Sequence, residues 1–249
     1  LKKDFKKATS IQRKTALRFH NLLTIVAEAF PKIRIRFSTS NPQDMSIKVI
    51  KIMAKYENIC NYIHLPLQAG NNRILKRMNR TYTKEHFMGL ADHIRDMLPN
   101  VGISTDIIVG FPGETNTEFE ETLDVMEKVK FDSAFTFKYS SRPGTKAAEY
   151  SDHITEADKQ KRLQRVISLQ KKHTLERNLE SVGKIEVVLV EKESKKSSAY
   201  WAGRTDSNKW VIIEKGNTKI KDFVPALITA AKGVTLHGDL VYQEEAYAV

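Results

Sequence analysis

Apolar positions in the first part of the chain recur mostly at helical spacing, broken by short runs that alternate or are wholly apolar. Leu17, Leu22, Ile25, Val26 and Ala29 mark a helix within residues 10–30, which Pro31 stops. Residues 33–37 alternate apolar and basic and read as a strand. Residues 46–56 are helical, with Val49, Ile50 and Met53 on one face; residues 62–65 are a short apolar strand. A helix over 83–98 turns Phe87, Leu90, Ala91, Ile94 and Leu98 inward, and a strand follows at 103–109. Thr115 and Glu118 form a capping-box signature for a helix over 115–129. Residues 131–139 hold a strand with Phe135, Phe137 and Tyr139 on one face. Thr155 with Asp158 opens a long amphipathic helix carrying Leu163, Val166, Ile167, Leu175 and Leu179, which Gly183 caps.

Helix and strand thus alternate four times, which predicts parallel strands joined by crossover helices. After Gly183 the period becomes two, as in Ile185, Val187 and Leu189, then Val211 and Ile213, then Val224, Ala226 and Ile228, then Leu236 and Leu240. Turn residues separate these runs. The pattern predicts a small all-β module of OB-like size, with Val187, Leu189, Val211, Ile213, Val224, Ile228 and Leu236 inward. We divide the chain into domains at 1–173 and 174–245.

Length and composition narrow the class. With 249 residues, 41% hydrophobic and 29% charged, the chain is neither fibrous nor wholly disordered. No stretch of about 18 apolar residues offers a membrane span. A single cysteine, Cys60, excludes a disulfide scaffold and points to a reducing, cytoplasmic compartment. Cys60 reads as a small buried hydrophobe, and His86 and His93 lack partners for a metal set.

The formal net charge is +11, and the excess lies wholly before residue 175. Three clusters carry it: Lys2, Lys3, Lys6, Lys7, Arg13, Lys14 and Arg18; Arg73, Lys76, Arg77 and Arg80; and Lys159, Lys161, Arg162, Arg165, Lys171 and Lys172. Such faces favour a polyanion, most often nucleic acid, although a charged helix face can also be merely solvated.

In parallel α/β folds chemistry gathers at the carboxyl ends of strands. Four polar or glycine-rich segments close the predicted strands here, at 37–42, 64–71, 106–115 and 139–145. Singly each is ordinary turn chemistry. Together they suggest one site at one barrel mouth, supplying hydroxyls, an amide and glycines that admit a ligand to the backbone. Thr115 opens a helix whose free N–H groups favour an anion.

These same turns carry a resemblance. RIRFSTSNP (34–42), HLPLQAGNNRILKRMNRTYT (64–83), STDIIVGFPGET (104–115) and FKYSSRPGTKA (137–147) resemble the radical-SAM methylthiotransferases. GRTDSNKWV (203–211) resembles the RNA-binding TRAM domain that ends them. FSTSNPQDM (37–45) is most similar to the branch that adds a methylthio group at C2 of N6-isopentenyladenosine in tRNA; the threonylcarbamoyladenosine branch is the alternative. The resemblance implies a partial (β/α) radical-SAM barrel followed by a TRAM barrel, with S-adenosylmethionine as cofactor and the tRNA anticodon stem-loop as partner. It further implies that Ser38, Ser40, Gln68, Ile108, Gly110, Glu114 and Ser140 line the cofactor, and that Arg77, Arg80, Arg142, Arg204 and Lys209 face RNA or the cofactor carboxylate.

One departure matters. The family holds two [4Fe-4S] clusters, one of them on a CxxxCxxC loop, and a single cysteine supplies neither. The chain therefore resembles a C-terminal fragment, which would partner the N-terminal half of the same protein and carry out no catalysis by itself. A fragment acting only as an RNA-binding scaffold is the competing reading.

Overall fold

The computed structural model describes residues 16–38 and 41–241. The first part builds a three-stranded parallel sheet in the order β1 (Tyr62–His64), β2 (Gly102–Val109), β3 (Ser133–Lys138). Helices α1 (Phe19–Ala29), α2 (Ile47–Lys55), α3 (Asn72–Arg77), α4 (Lys84–Met97) and α5 (Asn116–Val129) intervene. The long α6 (Glu156–Leu179) leads into a closed five-stranded barrel. Its strands are β4 (Ile185–Glu193), β5 (Tyr200–Arg204), β6 (Trp210–Glu214), β7 (Phe223–Lys232) and β8 (Thr235–Leu240), ordered β4-β5-β6-β8-β7. The 173/174 division falls inside α6, and Gly183, at φ +84°, sits between the helix and the barrel.

Several expectations are corrected. The strand at 33–37 reduces to one bridge, Ile35 to Ile59. Among the described residues that segment has a backbone neighbour on one side only, through Ile35 N–H to Asn58 O and Cys60 N–H to Ile35 O, while Arg34 and Arg36 reach away to the barrel. Helix α3 has no counterpart among the elements read from the sequence; the Asn71 side chain caps it by accepting from the Arg73 and Ile74 N–H groups.

α6 is corrected more deeply. Leu175 and Leu179 are exposed, and its buried side is mostly polar: Lys159, Arg162, Val166, Gln170, His173, Thr174 and Asn178. Each polar member there is tied. Gln170 donates to Phe131 O (2.8 Å), Thr174 to Asp132 O (2.9 Å) and Asn178 to Gly233 O (3.0 Å). His173 Nε2 meets Glu127 at 3.0 Å. The helix ends at Leu179 with Glu180 as its cap, so Gly183 does not cap it; the Gly183 N–H joins the barrel through Ile228 O.

β4 is shifted by one. Ile185 and Val187 are exposed, and Val188 and Val190 enter the barrel core with Val211, Ile213, Val224, Ala226, Ile228 and Leu236. Residues 187–190 are apolar at every position, so alternation alone cannot choose the inner face; pairing of Val188 with Val224 does.

One face of the sheet packs Ile63, Ile103, Ile107 and Val109 into the main core with the helices. The opposite face carries Tyr62, His64, Ser104, Asp106, Ile108, Phe135 and Phe137, with both phenylalanines about half exposed.

Candidate functional site

A cavity of about 700 Å³ opens at the carboxyl ends of the strands. The turns after β1 and β3 contribute Gln68 and Ser140, the end of β2 contributes Ile108, and Arg77, Arg80 and Arg142 stand on its wall. Gln68 takes φ +71° and continues the sheet by a bridge to Ile107, its N–H bonding Asp106 O at 2.8 Å. That left-handed turn directs the chain across the strand end.

The cavity wall holds unmet polar atoms. Arg77 Nε, Arg80 Nε and Tyr139 Oη are buried and lack a hydrogen-bond partner among the described residues. Buried donors of this kind are costly unless something accepts from them. A ligand bearing carboxylate or hydroxyl oxygens fits that set, as S-adenosylmethionine does. Arg77 is otherwise fixed by Asp152 (2.8 Å) and by the Tyr150 ring, 4.2 Å from the guanidinium carbon.

The other expected cofactor residues lie elsewhere. Gly110, at φ +70°, approaches a neighbour closely, but that neighbour is the Lys159 side chain, which an added Cβ would strike. Its N–H donates to Glu114 Oε2 at 2.7 Å, and Arg162 donates to the same oxygen at 2.7 Å. Burial pushes the Glu114 carboxyl upward, against the Gly110 N–H and the Arg162 charge. Glu114 thus serves an internal ion pair behind the turn. Ser38 is exposed and outside the described lining of the cavity, and Ser40 lies outside the described residues.

The charge clusters resolve unevenly. Of the first, only Arg18 falls within the described residues. On α6, Arg165 pairs with Glu120, Lys172 with Glu127, Lys159 with Glu156, Lys161 with Asp158 and Arg162 with Glu114. That cluster is largely neutralised by α5 and by the helix's own first turn, so it is a weaker polyanion face than its sequence predicts. Arg73 binds Glu118 at 2.5 Å and holds that carboxyl down at about 2.

The barrel docks at the opposite end of the sheet from the cavity. Asp206 accepts from the Asn61 N–H (3.0 Å) just before β1, and an added Cβ on Gly102, the first residue of β2, would run into Ser207 O. Lys209 donates to Arg177 O (2.5 Å) and stands 3.7 Å from Asp132, just before β3. Burial lowers the Lys209 ammonium and raises the Asp206 and Glu186 carboxyls around an interdomain cavity of about 300 Å³. Arg34 donates to Val187 O and Arg204 O across the junction. Lys209 is therefore built into the junction. Arg204 is held by Glu191 at 2.9 Å and stacks on Trp210, which Lys192 also covers. Trp201 packs against the barrel core and donates to Thr218 O at 3.3 Å.

Cys60 is buried, and burial pushes its thiol up to about 11. Among the described residues no group of three or more His, Cys, Asp or Glu is arranged to hold a metal ion. With one cysteine in the whole chain, the residues present do not fit an iron–sulfur cluster.

A parallel α/β sheet with its cavity at the strand ends, followed by a small closed barrel, agrees with the family matches. The Radical SAM superfamily model matches residues 3–126 and the TRAM domain model residues 180–241. The chain belongs to the radical SAM superfamily and ends in a TRAM domain. Among curated proteins it is similar to the tRNA-2-methylthio-N(6)-dimethylallyladenosine synthase of Christiangramia forsetii, 52% identical over 96% of this chain and 50% of that protein. The enzyme of the same name from Flavobacterium johnsoniae is 49% identical over 97% of this chain and 50% of its own length. Among solved structures, coproporphyrinogen III oxidase from Escherichia coli matches at a TM-score of 0.46 and 15% identity, over 67% of this chain and 45% of that one. The chain spans about half the length of the curated relatives it matches. No helix among the described residues is long and apolar enough to cross a membrane.

Proposed function

We propose that this chain is the cofactor- and RNA-facing half of a tRNA methylthiotransferase that modifies C2 of N6-dimethylallyladenosine beside the anticodon. The observation that carries the reading is the cavity with Arg77, Arg80 and Arg142 on its wall in a chain that ends in a TRAM barrel. The names of the relatives at 52% and 49% identity supply the substrate.

In this reading Gln68, Ile108 and Ser140 orient S-adenosylmethionine. Arg80 and Arg142 neutralise its carboxylate or an RNA phosphate, the bidentate geometry of guanidinium suiting either. Glu114 and Gly110 hold the β2 turn in shape behind the cofactor. Arg204, stacked on Trp210, offers the barrel's cation–aromatic surface to the RNA. The iron–sulfur clusters of the family find no ligands here, so we assign no step through them to this chain. Those ligands belong to an N-terminal half, in a cytoplasmic enzyme.

Isothermal titration with S-adenosylhomocysteine and anisotropy with a labelled anticodon stem-loop test this. Binding of both, with loss of the first in Gln68→Ala and of the second in Arg142→Ala, is expected. Failure of the chain to bind either one overturns the reading.

A further inference from the structure

The sheet face that opens toward the cavity carries a row of polar side chains that, among the described residues, hydrogen-bond one another. Tyr62 Oη lies 2.5 Å from Ser104 Oγ, Ser104 Oγ lies 2.8 Å from His64 Nδ1, and His64 Nε2 lies 3.4 Å from Asp106 Oδ2. One arrangement of protons satisfies all three contacts. A carboxylate only accepts, so in the neutral imidazole Nε2 carries the hydrogen and Nδ1 accepts from the Ser104 hydroxyl, which in turn accepts from Tyr62. Every donor in the row then points toward Asp106. Among the described residues nothing donates to Asp106 Oδ1, and Asp106 stands on the wall of the cavity.

What surrounds this carboxylate is aromatic. Asp106 pairs in register with Phe135, and Ile108 with Phe137. Phe135 stands edge-on to His64 at 5.8 Å, and the two phenylalanines are 57% and 50% exposed. An oriented acceptor beside two exposed rings suits a planar heteroaromatic group with one N–H and an apolar substituent. A ribose, with several hydroxyls and no apolar arm, would leave the rings without a partner.

Resting on the function proposed above, we infer that His64 and Asp106, with Phe135 and Phe137, seat the N6-alkylated adenine of the RNA. Asp106 accepts the single remaining N6–H, His64 orients Asp106, and the phenylalanines cover the dimethylallyl arm. The adenine of S-adenosylmethionine also carries N6–H groups, so the experiment separates the two sources.

Anisotropy compares two stem-loops, one with N6-dimethylallyladenosine and one with plain adenosine. The wild-type chain should prefer the alkylated RNA. Asp106→Asn should weaken both stem-loops roughly tenfold, the scale of a hydrogen bond to a charged group, because plain adenosine offers the same N6–H. Affinity for S-adenosylhomocysteine should stay unchanged. Phe137→Ala, on an exposed side chain that folding does not need, should lower the preference for the alkylated RNA. Unchanged RNA affinity in Asp106→Asn together with an unchanged preference in Phe137→Ala overturns the inference, and so does a loss of S-adenosylhomocysteine binding in Asp106→Asn with RNA affinity intact. If no stem-loop binds the wild type, the RNA reading fails by itself. Titrating free N6-dimethylallyladenosine against the ring carbon–proton signals of His64 then decides the seat, and signals that do not move reject it.

Discussion

Arg162 of α6 donates to Glu114 at two points, to Oε2 at 2.7 Å and to the carbonyl oxygen at 2.9 Å, with both side chains buried. A pair so enclosed is costly to break one side at a time, because the survivor keeps an uncompensated charge away from water. Arg162→Met should cost about 3–5 kcal/mol of unfolding free energy. The double change Arg162→Met with Glu114→Leu should recover most of that. Urea denaturation of the single and double variants checks this; a single variant as stable as the parent would show that the pair carries no structural weight.

The neighbouring Glu118 sets an acid limit on stability. Arg73 first, then the Thr115 N–H and hydroxyl, hold its carboxyl at about 2, against an ordinary 4.5. The folded value is the lower one, so the unfolded chain binds the proton more readily. The stabilisation is complete above about pH 4.5 and drains away as pH falls toward 2. Thermal melts across that window should show a shallower acid slope for Glu118→Gln. Parallel slopes for the variant and the parent would remove Glu118 from the acid limb.

Lys209 should behave as a junction residue. Removing its ammonium takes one of two cations from Asp132, which Lys209 meets at 3.7 Å and Arg177 at 3.5 Å, and leaves Arg177 O without that donor. Lys209→Met should therefore loosen the barrel from the sheet, at a cost of about 1–3 kcal/mol, the scale of an unsatisfied buried group. The expected signature is earlier proteolysis near 180–184 and two calorimetric transitions where the parent has one. A variant that melts as the parent does but loses stem-loop affinity would return Lys209 to the RNA.

What the sequence made legible follows from where each residue's partner lies. The capping box at Thr115 and Glu118 is local, and it forms as read. Gln68, Ile108, Ser140, Arg77, Arg80 and Arg142 come to one cavity because strand ends converge in any parallel sheet. Glu114, Gly110 and Lys209 were opaque because their partners, Arg162, Lys159 and Asp132, are distant in sequence and chosen by packing. The polar inner side of α6 was hidden for the same reason: its hydrogen bonds go to backbone and side chains of other elements, and leucine spacing pointed the wrong way. The His64–Asp106 pair had one available signal, the alternation of Ser104, Asp106 and Ile108 along β2, which places three residues on one face.

The salt dependence of RNA binding should be smaller than the net charge of +11 implies. Each phosphate contact adds about −0.9 to the slope of log affinity against log salt for duplex RNA-like partners. Cations already paired with α5, such as Arg165 and Lys172, release few counterions on binding. Arg80→Ala and Arg142→Ala should each reduce the slope by about one, while Arg165→Ala and Lys172→Ala leave it nearly unchanged. Stem-loop titrations at several salt concentrations read this directly, and an α6 variant with the larger effect would move the RNA path onto that helix.

The shifted register of β4 makes a sharp contrast within one strand. Ile185 lies on the outer face opposite Leu227, both exposed, and Val188 lies inward opposite Val224. Ile185→Lys should change unfolding free energy by no more than about 0.5 kcal/mol, as for a surface position. Val188→Lys would bury an unpaired ammonium among Val190, Val211 and Ile213 and should prevent the barrel from folding. The outer position also permits Val187→Thr at little cost, whereas the inner frame would require that change to be severe. Denaturation of the three variants, followed through Trp201 and Trp210 fluorescence, decides the frame: a severe loss in Ile185→Lys with tolerance of Val188→Lys would restore the inward set of Val187 and Leu189.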